Sequence, residues 1–346
     1  MKKFIVLSAV TVFLMGFSLT AADTLPRPDG KGADMSKPVQ VYILMGQSNM
    51  LNMGKVKGLE VSCKEKKLYP YLVDDSGAWT TRKDVRNVRI MASGNKNAKV
   101  QENAWLTVAG NKIGVEIGIG HHLGNAIDAP VMLLKSAIGN RSLGWDLLPP
   151  GTTRYSHDGV EQPGYKETIK SKKDKTIVPF VKGGDCLQWY AGLQYDGDTR
   201  NAKEIVLAKL AKYYPGATKY EIAGFFWWQG DKDFRNKAHA ANYETNLVNL
   251  IKALRKDFNA PNAKFVCATL GQTKKDATGT LGQILKAKFA VSDSSKYPEF
   301  KGNVSTVYTN PLSMGSSSSA HYGGNAETYM NIGEGMGKAM VELLKK

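Results

Sequence analysis

The sequence predicts an α/β protein built on a parallel sheet with helices on both faces, and three observations predict it. Short apolar runs rich in β-branched residues alternate with helical patterns along the chain. The 346 residues can bury a full core within one α/β domain that carries large loops. Two polar stretches, 54–85 and 148–199, interrupt the rhythm and are rich in Gly, Pro, Lys and aromatic residues. Loops that long in a compact domain are functional or disordered, and both are read as insertions on the rim of the sheet.

Strands are placed at Val39 to Met45, Asn87 to Met91, Pro130 to Lys135, Glu221 to Trp228, Lys264 to Thr269 and Ser305 to Tyr308. Helices are placed at Ile117 to Ala126, Arg200 to Tyr214, Ala238 to Phe258, Leu281 to Val291 and Ala326 to Leu344. The second of these helices runs into Pro215-Gly216, which cannot continue a helix and marks its stop.

Residues 1–22 have the layout of a secretory signal peptide: Lys2-Lys3, an apolar stretch from Phe4 to Leu19, and the small residues Thr20-Ala21-Ala22. The apolar stretch is short for a membrane span, so cleavage is expected to leave a single domain, 23–346, with no membrane anchor. Removing Lys2 and Lys3 lowers the formal charge from +16 to +14. Such a charge suits an acidic polysaccharide, although lysines spread through loops such as 166–182 also make an ordinary solvated surface. They form no arginine-rich stripe, and nucleic acid is not expected as a partner.

Of three cysteines, Cys267 lies in an apolar run and reads as a core thiol. Cys63 and Cys186 lie in polar stretches, where an exported chain is free to form a disulfide; spacing leaves that open. No Cys-x-x-Cys or His-Glu-x-x-His pattern occurs, so a built-in zinc site is not expected.

Ligands of an open parallel sheet bind beyond the carboxyl ends of its strands, which singles out four segments. Gly46-Gln47-Ser48-Asn49-Met50 follows the first strand. Ser48 can present its hydroxyl there as a nucleophile with its own N–H aimed at an incoming carbonyl oxygen, or it can simply cap a helix. The segment is not the Gly-x-Ser-x-Gly elbow, because Met50 occupies the second glycine position. In Ser136 to Ser142, Gly139 can lay a bare N–H against an oxyanion, while Asn140, Arg141 and nearby Trp145 are candidates for substrate contact. A turn role for the glycine is the plain alternative.

Trp227-Trp228-Gln229-Gly230-Asp231-Lys232-Asp233 closes the fourth strand. Tryptophan at a wet rim suits a sugar face, and the Gln229 amide can donate to an oxyanion; tryptophans packed under the insertions would look the same. His321, alone among five histidines, follows a strand and loop near the end of the chain. An early Ser and a late His at strand ends can meet across the sheet as nucleophile and base.

Together these blocks resemble the SGNH hydrolases, specifically the sialate O-acetylesterase-like group related to carbohydrate esterase family 6. The matching pieces are the Gly-Gln-Ser-Asn turn at Ser48, Gly114-Val115-Glu116, the Gly139 block, Trp228-Gln229-Gly230 with Asp233, Tyr243 to Arg255, and the His321 block. The resemblance implies a three-layer α/β/α flavodoxin-like fold and hydrolysis of acetyl esters on carbohydrate through an acyl-enzyme, without a cofactor. It casts Ser48 as nucleophile, His321 as base, and the N–H groups of Ser48 and Gly139 with the Gln229 amide as oxyanion donors. Gln47, Asn140, Arg141, Trp145 and Trp228 are the substrate-binding candidates.

Two positions depart from the pattern. Ser318 stands where the family usually has an Asp three residues before the histidine, and Gly139-Asn140 replaces a glycine pair. The group that orients His321 is therefore open between a backbone carbonyl of the 316–320 loop, Asp233 or Asp231, and Glu116. The carbonyl is favoured, with Asp233 next. A non-catalytic carbohydrate-binding protein on the same fold is the rival reading, and a lipid esterase or thioesterase is disfavoured by an aromatic, polar rim.

Overall fold

The computed structural model describes residues 25–346; the signal-peptide expectation falls outside them. The chain enters the sheet through β1 (Val39–Gly46), whose apolar residues feed both faces. Val41, Ile43 and Met45 point into one core, and Tyr42 and Leu44 into the other, as the two-residue repeat of a strand dictates. The first insertion holds β2 (Gly54–Lys55) and α1 (Val56–Lys64), then gives way to β3 (Thr81–Met91). β3 starts six residues before the expected Asn87, so the end of the 54–85 stretch belongs to the sheet.

β4 (Lys99–Thr107), antiparallel to β3, was not expected. It is an edge strand in which only Leu106 is buried, and a half-wet edge carries no apolar signal. β5 (Lys112–Ile113), which pairs with β2, leads into α2 (Glu116–Ala126) and β6 (Val131–Ser136). The second insertion folds as two small antiparallel hairpins, β7 (Tyr155–His157) with β8 (Val160–Gln162), and β9 (Glu167–Ile169) with β10 (Ile177–Pro179).

α3 (Leu193–Asn201) begins before the expected Arg200, and a π turn and a tight turn separate it from α4 (Leu210–Tyr213). Its buried face carries Gln194, Asp198 and Asn201, so apolar periodicity could not locate it. After β11 (Tyr220–Trp228), the expected helix 238–258 is two: α5 (Lys237–Ala241) and α6 (Tyr243–Asp257), broken at Asn242. The remaining elements are β12 (Lys264–Ala268), α7 (Gly279–Ala290), β13 (Val304–Val307) and α8 (Ala326–Leu344), close to expectation.

The seven-stranded sheet has the order β13-β12-β11-β1-β6-β3-β4, parallel except at β4. The segment β6-β1-β11-β12-β13 reproduces the flavodoxin-like order, with β3 and β4 added at one edge. α3 to α7 cover one face and α1, α2 and α8 the other, which makes three layers. The order reverses at β1, so the crevice expected for ligands lies beyond the ends of β6, β1 and β11.

All three cysteines are free. Cys63 is buried in α1, and Cys186 stays unpaired. Among the described residues no helix is long and apolar enough to cross a membrane.

Candidate active site

The end of β1 is pressed against the end of β11. A side chain on Gly46 would put its Cβ 2.3 Å from the Trp228 carbonyl oxygen, so only glycine lets the chain turn there. Ser48 opens a short 3-10 turn, Ser48–Met50, and sits half-buried between buried Gln47 and Asn49. Its hydroxyl makes no hydrogen bond among the described residues, so no competing partner ties it down. Gln47 is 2 % exposed, and its Oε1 accepts from the N–H groups of Gly230 (3.4 Å) and Lys232 (3.1 Å). This corrects its placement among substrate contacts: it ties the nucleophile turn to the loop after β11.

The loop after β6 brings Gly139 against the same serine. A Cβ on Gly139 would meet the Ser48 Cβ at 3.4 Å, and neither the Ser48 nor the Gly139 N–H has a protein acceptor among the described residues. Two unspent donors thus stand beside one hydroxyl. Asn140, in the left-handed region (φ 57), is exposed at the loop tip. Arg141 is largely spent on protein: its guanidinium donates to Gln194 Oε1 (3.0 Å), to the Ser93 hydroxyl (2.9 Å) and to the Gly139 and Asn140 carbonyls (each 3.3 Å), and it stacks over Trp189.

A buried carboxylate holds the far side of this loop. Asp233 is fully buried and accepts from the N–H groups of Leu143 (2.9 Å) and Gly144 (2.7 Å) and from the Gln229 amide. Burial pushes its pKa up to about 6, against the pull of these three donors. Gln229 also donates to the Arg141 carbonyl (2.9 Å), and its Oε1 accepts from the Tyr243 hydroxyl (2.8 Å). Its amide hydrogens therefore go to the Arg141 carbonyl and the Asp233 carboxylate, which corrects its reading as an oxyanion donor. Under them Lys288, wholly buried, donates to the Gln229 and Ala268 carbonyls, and burial draws its pKa down to about 8.

The histidine loop crosses from the other side. His321 and Tyr322 both adopt positive φ, 52° and 53°, a conformation costing non-glycine residues about 1–2 kcal/mol each that packing must hold in place. Tyr322 stacks on Trp228, and its hydroxyl accepts from the Gly271 N–H (3.1 Å). The Asn49 amide donates to the Ser318 carbonyl (3.1 Å), and the Tyr329 hydroxyl bridges Asn49 Oδ1 (3.3 Å) and the His321 carbonyl (3.5 Å). The nucleophile turn and the histidine loop are thereby pinned together.

Among the described residues the His321 imidazole has no hydrogen-bond partner. Of the candidate orienting groups, Glu116 is paired with buried Lys135 and Asp233 is committed to the 139–144 loop, which corrects its reading as a third catalytic member. Asp231 accepts from the hydroxyls of Ser318 (2.8 Å) and Ser319 (2.7 Å) and from Arg235 (3.0 Å). Its charge braces the loop through the serine that replaces the expected Asp.

A model of the carbohydrate esterase family described as sialic acid-specific acetylesterase matches residues 158–342, more than half of the chain. The chain belongs to this family. Its fold is similar to that of a carbohydrate acetylesterase from Xanthomonas citri, with 11% identity, 87% of this chain and 55% of that one covered, and a TM-score of 0.50. The esterase thus spans about half the length of that relative. Two more solved structures are similar: a protein from Arabidopsis thaliana (16% identity, 88% and 98% covered, TM-score 0.49) and NanS (13% identity, 79% and 78% covered, TM-score 0.40). No curated protein matches.

Trp228 of the esterase is 0 % exposed, sealed between Tyr322 and Tyr329 with its indole N–H on the Thr269 carbonyl (3.0 Å). This corrects its expected contact with substrate: the strand-end tryptophans are packing, while half-buried Trp145 lines a surface cavity. The buried pair Glu116 and Lys135, with Asn52 on the lysine (3.0 Å), went unread. A lysine inside the apolar run Val131–Ser136 was the available signal, since a buried lysine needs a partner. Gln229→Ala is expected to lower Tm together with kcat, because it strips partners from the Arg141 carbonyl, Tyr243 and Asp233. A fall in kcat at unchanged Tm would show instead that the amide reaches the substrate.

Proposed function

We propose that the protein is an exported serine esterase that removes O-acetyl groups from an oligo- or polysaccharide through an acyl-enzyme. The observation that carries this reading is the pair of unspent N–H groups, on Ser48 and Gly139, beside an uncommitted Ser48 hydroxyl at the switch point of the sheet. Ser48 Oγ attacks the acetyl carbonyl and its proton passes to His321. The oxyanion is held by the two N–H groups, and the intermediate collapses as His321 returns the proton to the departing sugar oxygen. Water, activated by the same imidazole, then releases acetate. The two left-handed residues at the histidine loop fit this role, because strain of that kind is tolerated where geometry must be fixed.

Among the described residues no group of three His, Cys, Asp or Glu side chains could hold a metal ion, and the mechanism needs none. The signal-peptide layout supports a periplasmic or secreted location. Incubation with acetylated xylan, pectin, sialic acid and algal polysaccharide is expected to release acetate from at least one of them. Rapid quenching with p-nitrophenyl acetate should leave one acetyl group on the peptide carrying Ser48. Binding to a glycan with no acetate release and no acylation from any ester would replace the esterase with a carbohydrate-binding protein.

A further inference from the structure

A cavity of about 420 Å³ lies against the loop that follows Gly139 and the loop after β11 that is tied to the nucleophile turn, within the range of about 300–1,000 Å³ usual for small-ligand clefts. Two of its walls continue those loops. Ser142 and Trp145 follow Gly139, and Lys232 follows Gln229, with its N–H on Gln47 beside the nucleophile. The third wall is the second insertion, through Val160, Gln162, Lys175 and Ile177. Val160 is 50 % exposed, and with Trp145 and Ile177 it gives the cavity an apolar surface that suits the C–H face of a sugar ring. Gln162, Lys175 and Lys232 supply polar ends.

The insertion also carries a concentration of unpaired charge. Between Lys166 and Lys182 there are six lysines against two carboxylates, Glu167 and Asp174. Lys166 bridges Asp196 (3.6 Å), and Glu167 is taken by Arg154 (3.0 Å). Lys170, Lys172, Lys173, Lys175 and Lys182 are exposed, and among the described residues none lies within ion-pair distance of a carboxylate. What sets this stretch apart is the density of its lysines, five unpaired within thirteen residues. Two carboxylates, Asp146 and Glu161, line the cavity with Lys175 and Lys232, so the excess charge is that of the other hairpin lysines around it. A cluster of like charges beside a cleft raises the local concentration of an anionic ligand.

We infer that the cavity between the 139–145 loop and the β7–β10 hairpins binds an acidic sugar of the glycan chain that carries the acetyl ester, with the β9–β10 lysines as counter-charge. This rests on the reading that Ser48 and Gly139 form the catalytic centre, because the cavity's link to that centre is the 139–145 loop and the Lys232 N–H on Gln47. The anionic group is a carboxylate or a sulfate.

The test is calorimetric binding of three unacetylated probes to the mature protein: oligogalacturonate, a sulfated galactan oligosaccharide and a xylo-oligosaccharide. At least one acidic probe is expected to bind ten-fold or more tighter than the neutral one, more weakly at high salt, and the stronger of the two identifies the charged group. Two variants are compared with wild type. One carries Lys170→Gln, Lys172→Gln, Lys173→Gln and Lys175→Asn, the last chosen because Lys175 has a positive φ (57°) that Asn tolerates. The other, Val160→Trp, fills the cavity from its exposed side.

Each variant should lose ten-fold or more in acidic-probe affinity while hydrolysing p-nitrophenyl acetate within about two-fold of wild type. Equal binding of the neutral and acidic probes overturns the inference. So does loss of binding in the lysine variant with Val160→Trp unaffected, which would mean diffuse attraction with no cavity site. Hydrolysis of p-nitrophenyl acetate reads the catalytic centre separately: its absence alongside intact, cavity-dependent binding fails the esterase reading and leaves the glycan site standing.

Discussion

Ser48→Ala should lower kcat by roughly 10⁴–10⁶-fold while leaving the melting temperature within about 1 °C of wild type. The size follows from chemistry: without Oγ no acyl-enzyme forms, and what remains is whatever the oxyanion donors and His321 achieve with water. The thermal neutrality follows from structure. Ser48 is half-buried, its hydroxyl makes no hydrogen bond among the described residues, and the turn is held by Gly46, Gln47 and Asn49 instead. Residual activity above about a tenth of wild type would remove Ser48 from the nucleophile role. A large fall in Tm would point to a structural serine.

The sheet was legible because its interior strands are buried on both sides. Val39–Gly46, Val131–Ser136 and Lys264–Ala268 are nearly unbroken apolar runs bounded by turn residues, and that pattern has few other meanings. What stayed hidden had polar faces turned inward or half-wet. β4 sits at an edge, α3 buries Gln194, Asp198 and Asn201, and the hairpins of the second insertion are three residues per strand. In each case long-range pairing decides the conformation, and local sequence does not carry it.

The site divides along the same line. That Ser48 and Gly139 meet is implied by the resemblance, with each placed directly after a strand, and the strand order puts both strands at the switch point. Which polar side chains face outward could not be read from the sequence. Gln47, Gln229 and Asp233 look from their motifs like groups awaiting a substrate, yet each is at most 2 % exposed and is spent on backbone amides or on one another. A polar residue after a core strand is as good a clamp as a contact, and only the three-dimensional count of its donors and acceptors separates the two.

Asp233→Asn is the substitution whose outcome distinguishes a clamp from a catalytic acid. The carboxylate accepts from the Leu143 and Gly144 N–H groups and from the Gln229 amide. An Asn side chain keeps one acceptor oxygen and turns an NH₂ group toward the remaining donors, leaving buried groups unsatisfied at about 1–3 kcal/mol each. The 139–144 loop should loosen, the Gly139 N–H lose its aim, and kcat fall roughly 10²-fold, the order seen when one oxyanion donor is removed. Unlike the loss of a triad carboxylate, this comes with a lower melting temperature.

The pH dependence carries its own sign. Burial raises the pKa of Asp233 from 3.8 to about 6, so between those values the folded state binds a proton that the unfolded state has released, and wild-type stability falls as pH rises. The Asn variant has no such group. Its stability deficit should therefore be largest near pH 4, narrow toward pH 6 and stay constant above it. Paired denaturant titrations of wild type and variant across that window check this, and a deficit that widens with pH, or a kcat loss near 10⁴-fold at unchanged Tm, would return Asp233 to the side of the histidine.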